Sequence, residues 1–234
     1  MLDGHSILAV IPAKGKSSRL PGKNIKPFAG KPLIAWTILA SKKSRYLDEI
    51  IVSTENEAIA RIARQYAAHV PFKRPAYLAR GQVSSIDVAR HASAWFIKHG
   101  KHFDLVMLLQ PTSPLRTADD IDEAIKVFLK NDADALISVV RAAKSPFWLK
   151  TINKKGYVED LIKSKARQKM QDKTVCMPNG AVYIFKTGSL LSGKKLRTGY
   201  YLMDDFRSID IDDRLDFKIA QWLMRERSKK GLRA

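Results

Sequence analysis

Five cations, Lys14, Lys16, Arg19, Lys23 and Lys26, crowd a loop that runs from Pro12 to about Gly30 and contains Gly15, Gly22 and Gly30. These residue types suit phosphate, because open backbone brings N–H donors close and point charges offset the anion. A nucleoside triphosphate needs both. The loop contains no G-x-x-x-x-G-K-[ST] string, and its glycines are too far apart for G-x-G-x-x-G. A solvated basic loop is the competing reading; the position directly after an apolar strand favours a ligand site.

A second constellation lies near the other end, in Ser208-Ile-Asp-Ile-Asp-Asp213. Read as a strand, this run projects Asp210 and Asp212 side by side. Two such carboxylates can hold Mg²⁺, which takes hard oxygen ligands and fills its remaining positions with water and phosphate oxygens. Asp204, Asp205, Asp213 and Asp216 crowd the same stretch of an otherwise basic chain. The alternative is a polar strand edge, with Asp213 capping the closing helix.

Two further strings offer polar side chains beside turn formers. In LLQPTSPLR, residues 108–116, Gln110 sits where a strand hands over to a turn fixed by Pro111 and Pro114. In MPNGAVYIF, Asn179-Gly180 reads as a turn just ahead of a strand, and Tyr183 could offer a hydroxyl to a ligand. Other chemistries find little support. His5, His69, His91, His99 and His102 have no metal-ligand spacing, and no G-x-S-x-G elbow is present. Cys176 reads as a small buried hydrophobe.

The elements that must position these residues follow a β–α rhythm. Ser6 to Ile11 is a buried strand, PLIAWTILASKK a helix, DEIIVST a strand and EAIARIARQYAA a helix. A helix over VSSIDVARHASAWFIKHG, capped by Ser84 or Ser85, leads to the strand DLVMLLQ. TADDIDEAIKVFLKN then forms a helix with acids in its first turn, followed by the strand DALISVV. Such alternation implies an α/β fold with a doubly wound, mostly parallel sheet and helices on both faces. The rhythm breaks after Arg141. Ten Lys/Arg and three Asp/Glu fall between Arg141 and Lys173, so residues 141–178 read as an insertion between core segments 1–140 and 179–234. The chain closes on the amphipathic helix RLDFKIAQWLMRERSKK and a basic tail.

Composition limits the partners. The chain has 234 residues, with 42 Lys and Arg against 23 Asp and Glu, a formal net charge of +19 that points to an anionic substrate or partner. One cysteine cannot form an internal disulfide, which suits a reducing compartment. The apolar run Ile7 to Ile11 is too short for a signal-peptide core or a membrane span. The expectation is a cytoplasmic protein with no membrane partner.

Taken in order, IPAKGKSSRLPGKNIKPFAGKPLIAWTI, LLQPTSPLR, PNGAVYIF and SIDIDDRLDF resemble the acylneuraminate cytidylyltransferases, the CMP-sialic acid synthetases with their legionaminic and pseudaminic acid relatives. The resemblance covers nearly the whole chain. It implies a Rossmann-like nucleotidyltransferase core with an inserted dimerisation segment, a homodimer, and transfer of CMP from CTP to the anomeric hydroxyl of an acidic nine-carbon sugar with Mg²⁺. It places Lys14, Ser17, Lys23 and Asn24 on the nucleotide loop, with Arg74 and Ser85 near the base and ribose; Gly15 and Arg19 of the same loop are further candidate nucleotide contacts. Gln110, Asn179, Tyr183 and the pair Arg167-Gln168 fall on the sugar side, and Asp210 and Asp212 match the metal pair. Lys14 and Lys23, with the two aspartates, would carry the catalysis.

The chain departs from that pattern at several positions. The family usually has Arg where Lys14 stands, and Lys16-Ser-Ser-Arg19 replaces its G-S-K-G. Arg forks and Lys does not, so the phosphate geometry differs. The string SSRLPGK is similar to the CMP-Kdo synthetases instead. Met177 stands where a basic residue often precedes P-N-G, and Gly81 replaces a common Asp. CMP-Kdo synthesis is therefore the alternative activity. A nucleic-acid-binding module is the rival from another class, resting on charge alone, without a recognition signature; an inactive homologue is a third.

Overall fold

The computed structural model describes residues 4–162 and 174–229. Its centre is a six-stranded sheet built from β1 (Ile7–Pro12), β4 (Glu49–Ser53), β5 (Leu105–Leu108), β6 (Ala135–Arg141), β9 (Cys176–Lys186) and β10 (Thr198–Leu202), in the order β10-β6-β9-β5-β1-β4. β1 pairs parallel with β4 and β5, and β10 parallel with β6, while β9 runs antiparallel between β5 and β6. Two short antiparallel pairs stand apart: β2 (Pro27–Phe28) with β3 (Lys31–Pro32), and β7 (Lys150–Ile152) with β8 (Val158–Asp160).

Both faces of the sheet are covered, and the strand period of two sorts the side chains. Ile7, Ala9 and Ile11 of β1 share a core with α1 (Leu33–Lys43), α2 (Glu57–Gln65) and α4 (Ala118–Lys130), whereas Leu8 and Val10 join α3 (Ser85–Lys98) and α5 (Thr187–Ser192). Local chemistry fixes the helix starts. Asn56 caps α2, Ser84 caps α3, and Thr117 with Asp120 forms a capping box on α4. The closing helix α6 (Arg214–Lys229) makes a third cluster, in which Phe217, Ala220 and Met224 pack on Leu20, Phe28, Leu33, Leu115 and Ile211. That cluster ties the carboxyl-terminal helix to the basic loop.

Three expectations are corrected. Asn179-Gly180 is no turn ahead of a strand; both residues lie inside β9. Ile137 pairs with Tyr183 and Val139 with Pro178, so residues 179–182 all face Ser138 across a bulge. The Ser138 hydroxyl fills it, donating to Asn179 Oδ1 at 2.6 Å and accepting from the Val182 N–H at 2.7 Å. Gly180 bends there at φ +73°, a conformation that favours glycine. Second, Asp210 to Asp212 is an extended segment outside the sheet, held by the Ile211 N–H to the Thr112 carbonyl at 2.8 Å. Third, Cys176 is exposed: it is the first residue of β9 and pairs with Arg141, the last residue of β6.

The break in rhythm after Arg141 corresponds to the β7–β8 hairpin. Trp148, Leu149, Ile152, Tyr157, Val158 and Leu161 there are all more than half exposed. Among the described residues no helix is long and apolar enough to cross a membrane.

Candidate active site

β1, β4 and β5 all end at one rim of the sheet, where the chain steps from β1 out to β4 and back across to β5. In an open α/β sheet such a reversal leaves a crevice at the carboxyl ends of the strands. A cleft opens there, lined by Lys14, Ser17, Ser18, Arg19, Lys23 and Asn24 from the basic loop and by Arg74, Arg80 and Ser85 from the β4–α3 connection and the start of α3. Gln110 and Thr112 line it after β5, and Asp210 and Asp212 before α6. The cationic and acidic strings, almost two hundred residues apart in sequence, thus face one space.

The basic loop is held at its two ends. The Gly15 N–H donates to Glu55 Oε1 at 2.6 Å, and a Cβ on Gly15 would stand 2.7 Å from Asn56 Nδ2, so glycine is what permits this approach. Asn24 Nδ2 donates to the Lys14 carbonyl at 2.9 Å. Lys23 Nζ reaches over to the Ile211 carbonyl at 2.6 Å and lies 3.9 Å from Asp212 Oδ1. Burial lowers the Lys23 pKa, opposed by Asp212 and Asp210. Arg19 closes the contact directly, with its guanidinium 2.9 Å from Asp212 Oδ1.

The acidic segment rests on a buried polar frame. Asp120, fully buried, accepts from Arg207 at 2.6 Å and from the Tyr201 hydroxyl at 3.2 Å through one oxygen, and from the Thr117 backbone and hydroxyl through the other. Asn179 Nδ2 donates to Ser208 Oγ at 2.9 Å. Asp213 accepts from the Leu215 and Asp216 N–H groups, and Asp216 accepts in return from Asp212 and Asp213, which caps α6. Asp210 projects into the cleft. Its walls push the Asp210 carboxyl above its ordinary pKa, with the Asp212 charge adding to the rise, while the Thr112 hydroxyl pulls it back.

Among the described residues no group of three His, Cys, Asp or Glu side chains could hold a metal ion alone. Asp210 and Asp212 are a two-carboxylate set, and Mg²⁺ on such a set keeps waters or phosphate oxygens for its remaining positions. The donor chemistry fits. The Asp212 charge raises the proton affinity of Asp210, so the pair is also a place where added positive charge is stabilised.

The remaining site residues divide. Gln110 and Ser85 face each other in the cleft, with Gln110 Nε2 3.5 Å from Ser85 Oγ and Oε1 3.5 Å from Thr112 Oγ1. Arg74 lines the cleft but is nearly buried, bonded to the Ser53 hydroxyl and carbonyl, and burial lowers its pKa to about 10, so it stays charged at neutral pH. Asn179 does not face the cleft. Its amide is spent on Ser138, Ala181 and Ser208, so it braces the bulge instead of meeting a ligand. Tyr183 is absent from the lining; it sits in β9 opposite Leu108, its phenol pKa raised by burial and by Asp210. Arg167 and Gln168 lie outside the described residues.

Sequence reasoning missed Thr112, Arg80, Glu55 and Arg116. Arg80 stands directly before Gly81, and Thr112 lies two residues beyond Gln110, so each stood beside a residue already singled out. Arg116 is fully enclosed and donates to the carbonyls of Gln110 at 3.3 Å and Ala181 at 2.7 Å, which props the turn after β5 against the β9 bulge. A charged side chain gives no sign in sequence that it will be buried.

The family described as Cytidylyltransferase matches residues 8–181. The chain is 36% identical to the CMP-N,N'-diacetyllegionaminic acid synthase of Legionella pneumophila over 93% of its own length and 96% of that protein. It is 30% identical to the N-acylneuraminate cytidylyltransferase of Escherichia coli over 97% of its length, spanning 54% of that longer protein. Among solved structures, a CMP:2-keto-3-deoxy-manno-octonic acid synthetase complexed with CTP superposes with a TM-score of 0.71 at 14% identity, covering 94% of this chain and 99% of that one.

Proposed function

The chain belongs to the cytidylyltransferase family, and from that premise we propose that it transfers CMP from CTP to the anomeric hydroxyl of a nonulosonic acid and releases pyrophosphate. One observation carries the reading: a cationic loop and a carboxylate pair meet across one cleft, joined at 2.9 Å by Arg19 and Asp212. The relative from Legionella supports the sugar class.

In this reaction the anomeric oxygen attacks the α-phosphorus; the new P–O bond forms as the bond to the pyrophosphate oxygen breaks. Transfer in line needs positioning and charge neutralisation and no covalent enzyme intermediate. Lys14, Arg19 and Lys23 neutralise the triphosphate, and Lys23, partly desolvated, acts at close range. Gly15 and Ser17 present backbone and hydroxyl to the phosphates, while Asn24 fixes the Lys14 carbonyl. Arg74 and Ser85 border the nucleoside end. Gln110 orients the sugar. Mg²⁺ held by Asp210 and Asp212 would supply positive charge to the phosphate oxygens.

The uncovered apolar hairpin supports a homodimer, since a two-stranded unit with that much exposed apolar surface is marginal by itself. Sedimentation of the protein should give a dimer, and polar replacement of Trp148 and Ile152 a monomer. The lone cysteine supports a reducing, cytoplasmic setting.

CMP-Kdo synthesis is a second reading, favoured by one feature, the Arg19 contact built from SSRLPGK. Pyrophosphate release measured with CTP against N-acetylneuraminic acid, N,N'-diacetyllegionaminic acid and Kdo separates the two. The expected result is release with a nine-carbon acid above Kdo. No CTP-dependent release with any of the three would overturn the reading.

A further inference from the structure

Helix α6 turns one face inward and leaves the other uncovered. Phe217, Ala220 and Met224 are buried, while Leu215 (65% exposed), Ile219 (41%) and Trp222 (60%) form a stripe at spacings of four and three on the opposite side. On the helical wheel, Arg214, Lys218, Arg225 and Lys229, all exposed, border that stripe along one flank, and Glu226 within the face pairs with Lys229 at 2.8 Å. None of these residues lines the cleft.

We infer that this outward face of α6 docks the protein reversibly on an anionic lipid surface, with Leu215, Ile219 and Trp222 entering the headgroup boundary and the flanking cations meeting acidic headgroups. Such contact needs no membrane-spanning helix. Four considerations select this occupant. The face combines tryptophan and aliphatic side chains with Lys and Arg, the pairing that holds amphipathic helices in an interface. A second copy fits poorly, since it would bring four more cations against the first four. Nucleic acid would use the cations and leave the apolar stripe unexplained. The net charge of +19 adds attraction that does not depend on one oriented partner, which suits laterally mobile anionic headgroups better than an acidic protein.

The test is co-sedimentation of the full chain with phosphatidylcholine vesicles, with and without phosphatidylglycerol, at low and physiological ionic strength. Binding should need the anionic lipid and weaken with salt. Replacing Leu215, Ile219 and Trp222 together by serine should weaken it by about tenfold or more, with an unchanged thermal midpoint because all three are exposed. K218E with R225E should weaken it by about fivefold for each cation removed, or more. Trp222→Phe should keep binding but lose the quenching that brominated lipid imposes on the wild-type tryptophan fluorescence. Vesicle binding unaffected by the serine substitutions would overturn the inference, assigning it to diffuse charge. So would loss of self-association in the serine variant with vesicle binding intact, or binding to polyglutamate or duplex DNA as tight as to anionic vesicles.

Discussion

The two walls of the cleft are both irregular chain, yet they are held in opposite ways. The acidic wall, from Asp204 to Asp213, stands on Asp120, Arg207, Asn179 and Ser208, a frame whose charged centre is fully buried. The cationic wall is tied by a Gly15 N–H, an Asn24 amide and Lys23, and its Lys16 and Arg19 side chains stand in solvent. Buried, fully paired charge rigidifies; exposed ion pairs contribute little to stability and exchange partners readily. The difference teaches a division of labour: the carboxylates are fixed in advance, while the cations are free to adapt. Under the proposed function, Arg19 would hold Asp212 until a phosphate competed for it.

Four variants can break or sharpen that contrast. The largest effect is expected at the acidic wall itself, where Asp212→Ala should lower turnover by about 10²–10³ in a pyrophosphate-release assay while the thermal midpoint stays in place. Undiminished turnover at saturating Mg²⁺ would remove the carboxylate pair from the chemistry. Asp120→Ala attacks the frame. Leaving Arg207 without its buried partner, with Arg227 nearby, should cost about 3–5 kcal/mol of stability, read in urea unfolding, and a cost below about 1 kcal/mol would show that the acidic wall is as loosely held as the cationic one.

Smaller effects are expected on the other wall. Gly15→Ala forces a Cβ against Asn56, which should destabilise the protein by about 1–3 kcal/mol and raise the KM for CTP more than it lowers kcat. Thr112→Val is the finest probe. Because the Asp210 pKa is raised in the cleft, its carboxylate is available for a cation above that pKa and is lost as pH falls through it. Removing the Thr112 hydroxyl, which pulls that pKa down, should move the acid limb of the rate profile upward by about half a pH unit. A downward shift would contradict that role of the hydroxyl.

Much of this was legible in the sequence where the signal is local. The apolar runs marked five of the six strands of the sheet, β10 being missed, and Ser84, one of two candidates named, caps α3. Asp210 and Asp212 were found through an alternation that survives outside a sheet, because buried Ile211 sits between them. What failed was tertiary. Asn179-Gly180 is a turn former everywhere except where a serine hydroxyl from a neighbouring strand can fill a bulge, and Ser138 lies 41 residues away. Arg116 and Asp120 look like surface charges until carbonyls and cations from distant segments surround them. Cys176 is of a residue type common in cores, yet it stands at the exposed first position of β9. The hairpin beyond Arg141 was recognisable by its break in rhythm, which says where the core stops without saying what covers the insertion.

Under the proposed function the two walls of the cleft grip one magnesium-bound triphosphate. Calorimetric titration of CTP with and without Mg²⁺, in the wild type and in the Asp210→Asn, Asp212→Asn double variant, tests this most directly. The wild type should bind CTP at least about tenfold more tightly with Mg²⁺, and the variant should lose that gain while still binding CTP through the cationic loop. An equal gain from Mg²⁺ in both proteins would mean that these carboxylates do not hold the metal.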